Sequence, residues 1–273
     1  MINDWDQLYE QRPLVPWVPK PPNKNCPFAV RLRQCASGLW PGQPILEVGC
    51  GLAGDLLSLW HEFGVVPYGL DSSPTAIARA RQRYALAGLW EDFLYEGDAH
   101  AMPFADGMFP LVFGKTSLEH FDNTTTAIRE IARVTTPGGY VVFDVPNRRN
   151  GYWTESSERT HGHTHLTRLF TIETLVDLFT ESGFTVAETW GYHLFYTTPF
   201  ILWQDVIRRL RPTAATTQAH SRMVQRSVPA IARWVDHLFK MGQDRINRYA
   251  DCSGWVNDHN GILIGVLAQR GDR

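Results

Sequence analysis

Residues 45–55 read ILEVGCGLAGD. Gly49, Gly51 and Gly54 spell G-x-G-x-x-G behind a short apolar run, the pattern of a strand that turns tightly into a helix and leaves backbone N–H groups for a ligand. Taken alone, that pattern suits a dinucleotide. Yet Glu47 stands two residues before the first glycine. An ionised acid there would oppose a pyrophosphate, since like unit charges about 4 Å apart repel by ~4 kcal/mol at an effective dielectric of about 20. The same acid would attract a cation.

Outward from this stretch, strand-like and helix-like patterns alternate. PILEVGC is followed by a helix from about 55 to 63, VPYGLD by one from 74 to 87, then come FLYEGDA and FPLVFGKT, a helix from about 124 to 133, and GYVVFDVP. Short apolar runs separated by helices of this length predict βαβ units and a parallel sheet covered on both faces, with ligands beyond the carboxyl ends of the strands. TIETLVDLFTESGF predicts a further helix stopped by Gly183, and TVAETWGY and HNGILIGVLAQR the last strands. The chain therefore divides into an arm and helix (1–40), a core (41–199), a helical insert (200–254) and a final core strand (255–273). The arm, rich in Pro and Trp (PLVPWVPKPPN), predicts an extended segment that either folds over a pocket or covers the sheet edge.

Asp71 closes the second strand about twenty residues past Gly51, where an acid can accept from two ribose hydroxyls; nicotinamide enzymes use this feature too. Asp98, in EGDAHAMPF, offers a carboxylate and the adjoining Ala99 amide to an adenine edge. Three acids at three successive strand ends make a polar rim suited to a nucleoside with a cationic partner and no phosphate. S-adenosylmethionine, with its sulfonium and ammonium, is such a ligand.

ILEVGCGLAGD, GLDSSPTAIARAR, GDAHAMPFADGMFPLVF, SLEHF and REIARVTTPGGYVVFDVPN, in that order, resemble the successive motifs of class I S-adenosylmethionine-dependent methyltransferases, especially those acting on small molecules and quinone-type lipids. HLTRLFTIETLVDLFTESGF resembles the segment that follows them. The resemblance spans about 40–195 plus the final strand. It implies a Rossmann-like α/β fold: a seven-stranded, mostly parallel sheet with helices on both faces and the last strand antiparallel, here with the helical insert before that strand. Carried over position by position, it implies that Glu47, Gly49 and Gly51 line the methionine part of the cofactor, Asp71 the ribose, and Asp98 and Ala99 the adenine, with Ser72 and Thr116 also among the cofactor-binding residues. The product would be S-adenosylhomocysteine. Ala53 departs from the family, many members having a third alternating glycine there.

Methyl transfer from a sulfonium demands alignment and a dry cavity more than acid chemistry, and a base only where the acceptor must lose a proton. His120 in SLEHF is the candidate base; the competing reading is that Glu119 and His120 cap the next helix and shape the pocket floor. Some quinone methyltransferases bind a divalent metal through E-x-x-x-E-H, but Lys115 stands at the first position here, which removes one ligand, so no metal is assigned. His161, His163 and His165 alternate in THGHTHLTR and fall on one face if extended, as a metal cluster, an acceptor contact or plain surface. The insert carries Arg208, Arg209, Arg211, Arg222, Arg226 and Arg233 beside apolar Val228, Ile231, Trp234 and Leu238, consistent with a lid, a dimer or membrane-surface face, or a helix packed on the core.

Composition is that of an ordinary globular protein: 44% hydrophobic and 20% charged, with a net charge of −2 that counts against nucleic acid as a partner. No apolar run reaches the ~18 residues of a membrane span, and the polar start MINDWDQLYEQRP lacks a signal-like core, so a cytoplasmic location is expected. The four cysteines have no C-x-x-C spacing and read as reduced thiols. The expected function is methylation of a small, hydrophobic or aromatic metabolite. Its rivals are an RNA or protein methyltransferase, a noncatalytic cofactor-binding protein and a nicotinamide oxidoreductase; a homodimer is left open.

Overall fold

The computed structural model describes residues 4–10, 15–19, 26–150, 168–192 and 261–272. The elements run α1 (Asp4–Glu10), α2 (Pro27–Ser37), β1 (Pro44–Val48), α3 (Gly54–Phe63), β2 (Val66–Asp71), α4 (Pro74–Ala87), β3 (Leu94–Glu96), β4 (Phe109–Lys115), α5 (Thr124–Val134), β5 (Thr135–Pro146), α6 (Ile172–Glu181), β6 (Phe184–Tyr192) and β7 (Leu263–Arg270). The strands form one seven-stranded sheet in the order β3-β2-β1-β4-β5-β7-β6. β7 lies antiparallel between β5 and β6, while β1, β2, β3, β4 and β5 pair in parallel. The seven-stranded sheet and its antiparallel last strand are those the family resemblance implies.

Alternation along β1 explains the two cores. Leu46 and Val48 pack with Val112, Ile128, Phe143 and Phe179 on the face covered by α5 and α6. Ile45 points to the opposite face, with Leu111, Phe113, Phe28, Leu57 and Tyr84. Strands buried on both faces need continuous apolar runs, and ILEV and FPLVF supply them, with Glu47 as the polar exception. The chain order reverses at β1, which has β2 on one side and β4 on the other, so the crevice at the carboxyl ends of these strands is the place for a ligand.

The helices start where the capping chemistry is right. Ser73 Oγ accepts from the Ala76 N–H at 3.0 Å with Pro74 behind it, Asn123 Oδ1 accepts from Thr126 N–H at 3.1 Å, and Thr171 Oγ1 from Thr174 N–H at 3.3 Å. α4 ends on Gly88 at φ +78°, the left-handed stop that glycine adopts most readily. Arg133 ties α5 to the loop after β3: its guanidinium donates to the carbonyls of Met102 and Phe104 and to Asp106 and Glu130. None of the helices among the described residues is long and apolar enough to cross a membrane.

One expectation is corrected. Part of the N-terminal arm is a helix: residues 4–10 form α1, and the proline run that argues for extension begins only at Pro13. Asp6 anchors it, accepting from Ser73 Oγ at 2.6 Å and from the Thr75 N–H at 3.3 Å, while Arg79 donates to the Glu10 carbonyl at 2.8 Å. The insert at 200–254, the histidines 161, 163 and 165, and Trp153, Phe195, Tyr196 and Trp203 lie outside the described residues. Ser73 both caps α4 and holds α1, so Ser73→Ala is expected to lose about 1 kcal/mol of stability, the ordinary worth of a cap. A lower urea midpoint with unchanged slope is the readout.

Candidate active site

A cavity of about 520 Å³ opens at the carboxyl ends of β1, β2 and β4. Its walls include Gly49, Asp71, Ser72, Asp98, Ala99, Thr116 and His120, which the sequence reading assigned, with Trp5, Leu8 and Tyr9 of α1 and His100, Ser117 and Phe121. Glu47, in β1, and Gly51, in the turn that follows it, were also assigned from sequence but do not line it.

The turn is held from within. Gly49 N–H and Cys50 N–H both donate to the Leu70 carbonyl, at 2.8 and 3.0 Å, and Ala53 N–H donates to the Cys50 carbonyl at 2.8 Å. Gly51 N–H donates to Asp71 Oδ2 at 2.8 Å, and Asp71 Oδ1 accepts from Ser73 N–H at 2.9 Å. Four N–H groups of the turn are therefore taken by the protein's own oxygens. Burial lifts the Asp71 carboxyl above its ordinary range, and the Ser73 and Gly51 N–H groups offset part of that.

Glu47 is 5% exposed, beneath the turn, and its Oε2 has no hydrogen-bond partner among the described residues. Burial pushes its carboxyl well above the carboxylate range, Asp55 adds to this, and Lys115 and the nearby Leu56 N–H offset it only in part. Independently of Glu47, the N–H groups of Gly49, Cys50, Gly51 and Ala53 are already taken within the protein.

Gly49 has φ +76°, and a Cβ there would meet Ser117 Cβ at 2.7 Å. Gly51 has φ +50°, and a Cβ there would meet the Tyr9 hydroxyl at 2.7 Å. Both positions combine left-handed backbone with close approach, the two demands only glycine meets without strain. On the opposite wall Thr116 sits at φ +47°, rare for a β-branched residue. Its N–H donates to the Asp144 carbonyl at 3.1 Å and to Asp144 Oδ1 at 2.8 Å, while the Tyr192 hydroxyl donates to Asp144 Oδ2. Asp144, fully buried at the end of β5, thus fixes the strained residue. Its burial drives its carboxyl up to about 6, against the Tyr192 hydrogen bond and Lys115, which favour ionisation.

His120 ends a single 3₁₀ turn, Leu118–His120, that follows β4. Its ring meets Trp5 edge-on, with centroids 4.8 Å apart, and Nε2 lies 3.8 Å from Glu119 Oε1. Burial raises the Glu119 carboxyl well above its ordinary value. At the other end of the cavity Asp98 Oδ1 accepts from the His100 backbone N–H at 2.9 Å and contacts His100 Nδ1 at 2.6 Å. These His100 contacts hold the Asp98 carboxyl below its ordinary value, so Asp98 is an anion at neutral pH.

Sequence reading missed α1 as a wall, although Trp5, Leu8 and Tyr9 stand at i, i+3 and i+4, the spacing of one helical face. It also missed His100 and Ser117, whose part depends on contacts distant in sequence. Among the described residues no group of three or more His, Cys, Asp or Glu gathers into a cation site.

The model of a methyltransferase domain matches residues 46–143, which run from the glycine turn through Asp71, Asp98 and His120 to β5. Residues 46–143 thus resemble a methyltransferase domain. A curated relative, the probable chloroplastic tocopherol O-methyltransferase of Oryza sativa subsp. japonica, is 34% identical to this domain over 107 residues, 39% of this chain and 30% of that protein. The O-methyltransferase resE of Aspergillus sclerotiorum is 32% identical over 149 residues, 54% of this chain and 56% of its own length. The chain thus spans between about a third and a half of these relatives. A solved structure of a sarcosine dimethylglycine methyltransferase candidate from Galdieria sulphuraria shares the domain's fold: TM-score 0.61, 16% identity, 99% of both chains covered.

The glycine turn should not tolerate a side chain. Gly49→Ala is expected to abolish ligand binding in calorimetry while losing stability, because the new methyl meets Ser117 on a wall of the cavity. Asp144 makes a pH prediction. Its folded carboxyl holds its proton up to about pH 6, whereas an unfolded Asp ionises at about 4, so the stability it contributes is complete below about pH 4 and is lost as pH rises through about 6. Asp144→Asn should flatten that part of the melting temperature profile between about pH 4 and 7.

Proposed function

We propose that this chain is an S-adenosylmethionine-dependent methyltransferase acting on a small, hydrophobic or aromatic molecule. The observation that carries the reading is the state of the two ends of the rim. Asp71 accepts from the Gly51 N–H of the glycine turn, while Asp98 Oδ2 accepts from, and the Ala99 N–H donates to, no described residue. A nucleoside without phosphate matches both.

In this reading Asp71 and Ser72 hold the ribose hydroxyls, and Asp98 with the Ala99 N–H the adenine edge. Gly49, Gly51 and Thr116 shape the space for the amino-acid part, with Glu47 supporting the turn from below. When bound, S-adenosylmethionine supplies a methyl group already activated for in-line displacement. The protein's part is then to align the acceptor and exclude water. Trp5, Tyr9, Phe121 and the His120 ring make that end of the cavity aromatic, which suits a flat or apolar acceptor. His120 is placed to take a proton where the acceptor is a hydroxyl or phenol. The O-methyltransferase names of the rice and Aspergillus relatives support a small-molecule acceptor.

Incubating the protein with methyl-labelled S-adenosylmethionine and fractionated cell extract tests this. Label is expected in a low-molecular-weight, organic-extractable product, with Asp71→Ala lowering its formation at least tenfold. Label in the RNA or protein fraction would overturn the acceptor class. Once the product is known, His120→Ala should cut the rate by the ~10²-fold or more typical of general-base catalysis if a proton is removed; an unchanged rate across pH removes that role.

A further inference from the structure

The geometry points to His100 as a specificity-determining positioning residue, which ties the two walls around the nucleobase and aims the Asp98 carboxylate; the inference rests on the reading that Asp98 meets the adenine. His100 belongs to the loop after β3, and Asn123 opens α5 on the far side of the cavity's 121–122 wall. The Asn123 N–H donates to His100 Nε2 at 3.2 Å, so Nε2 carries no proton and the ring is the Nδ1–H tautomer. That hydrogen is donated to Asp98 Oδ1 at 2.6 Å. The edge-on contact between His100 and Phe121, with centroids 6.1 Å apart, holds the ring in place.

Two consequences follow for recognition. Asp98 Oδ1 is saturated by the His100 N–H and Nδ1–H, which leaves Oδ2 as the acceptor for a ligand amino group and fixes its direction. The Phe121–Asp122 segment is pinned at its far end, because Asn123 is held through its own N–H and also caps α5 with its side chain. His100 therefore sets the spacing between acceptor and wall, and does so without touching the reacting atoms. An exocyclic amino group can donate to Oδ2, whereas the carbonyl of a 6-oxopurine would set two acceptors face to face. The chain should select adenine through His100.

Two substitutions separate the links. In His100→Asn the short amide still donates to Asp98 but does not reach Asn123; in His100→Gln the longer amide reaches the Asn123 N–H and gives up the donor to Asp98. Calorimetry is run with S-adenosylhomocysteine and S-inosylhomocysteine on the wild type and both variants, with melting temperatures alongside. The wild type is expected to prefer the adenosine compound by at least about tenfold, the loss typical of an unpaired charged acceptor. His100→Gln should collapse that preference toward unity. His100→Asn should retain it while both affinities fall severalfold as the wall is released. Loss of both affinities by one factor in both variants, in step with the melting temperature, would mean a merely structural histidine and overturn the inference, as would unchanged binding in both. A wild type that binds neither compound overturns the cofactor reading itself, whatever the variants do.

Discussion

The hydrogen bond from the Gly51 N–H to Asp71 Oδ2 joins the end of β2 to the turn after β1, and the arrangement of the site follows from it. It binds the glycine turn to its neighbouring strand. It also orients the second Asp71 oxygen toward the Ser73 N–H, at the start of α4. Ser73 in turn receives Asp6 of α1, so one chain of polar contacts runs from the glycine turn to the helix that walls the cavity. A nucleoside-sized space is what remains.

The second wall depends on a different buried acid. Asp144 holds Thr116 in the left-handed region through both its carbonyl and its side chain, and Tyr192 from β6 holds Asp144. A β-branched residue at positive φ costs on the order of 1–2 kcal/mol, and such strain persists where the surroundings over-determine it. Here it lets the chain leave β4, make one 3₁₀ turn and bring His120 back against Trp5. The antiparallel insertion of β7 between β5 and β6 sets Tyr192 within reach of Asp144, so the unusual end of the sheet serves the site.

Much of this was legible in the residues. Alternation of apolar runs with helices gave the parallel sheet, and Gly183 marked the end of the helix before β6. The glycine turn and Asp71, twenty residues apart, announced a nucleoside site. What escaped was whatever depends on burial or on distant contact. Sequence does not disclose that the Glu47 carboxyl is buried away from the cavity. Residues 4–10 read as an extended arm because proline punctuation at 13–22 outweighed the helical spacing of Trp5, Leu8 and Tyr9. His100 went unnoticed because its role depends on Asn123, more than twenty residues further on.

The central claim is that the glycine turn, despite its dinucleotide-like spelling, has its N–H groups taken within the protein and is open to an adenosyl group. Competitive titration of the full chain with S-adenosylhomocysteine and NADH tests it most directly. The account predicts micromolar or tighter binding of the first, which NADH does not displace. Tight NADH binding in competition with it would contradict the account at its root.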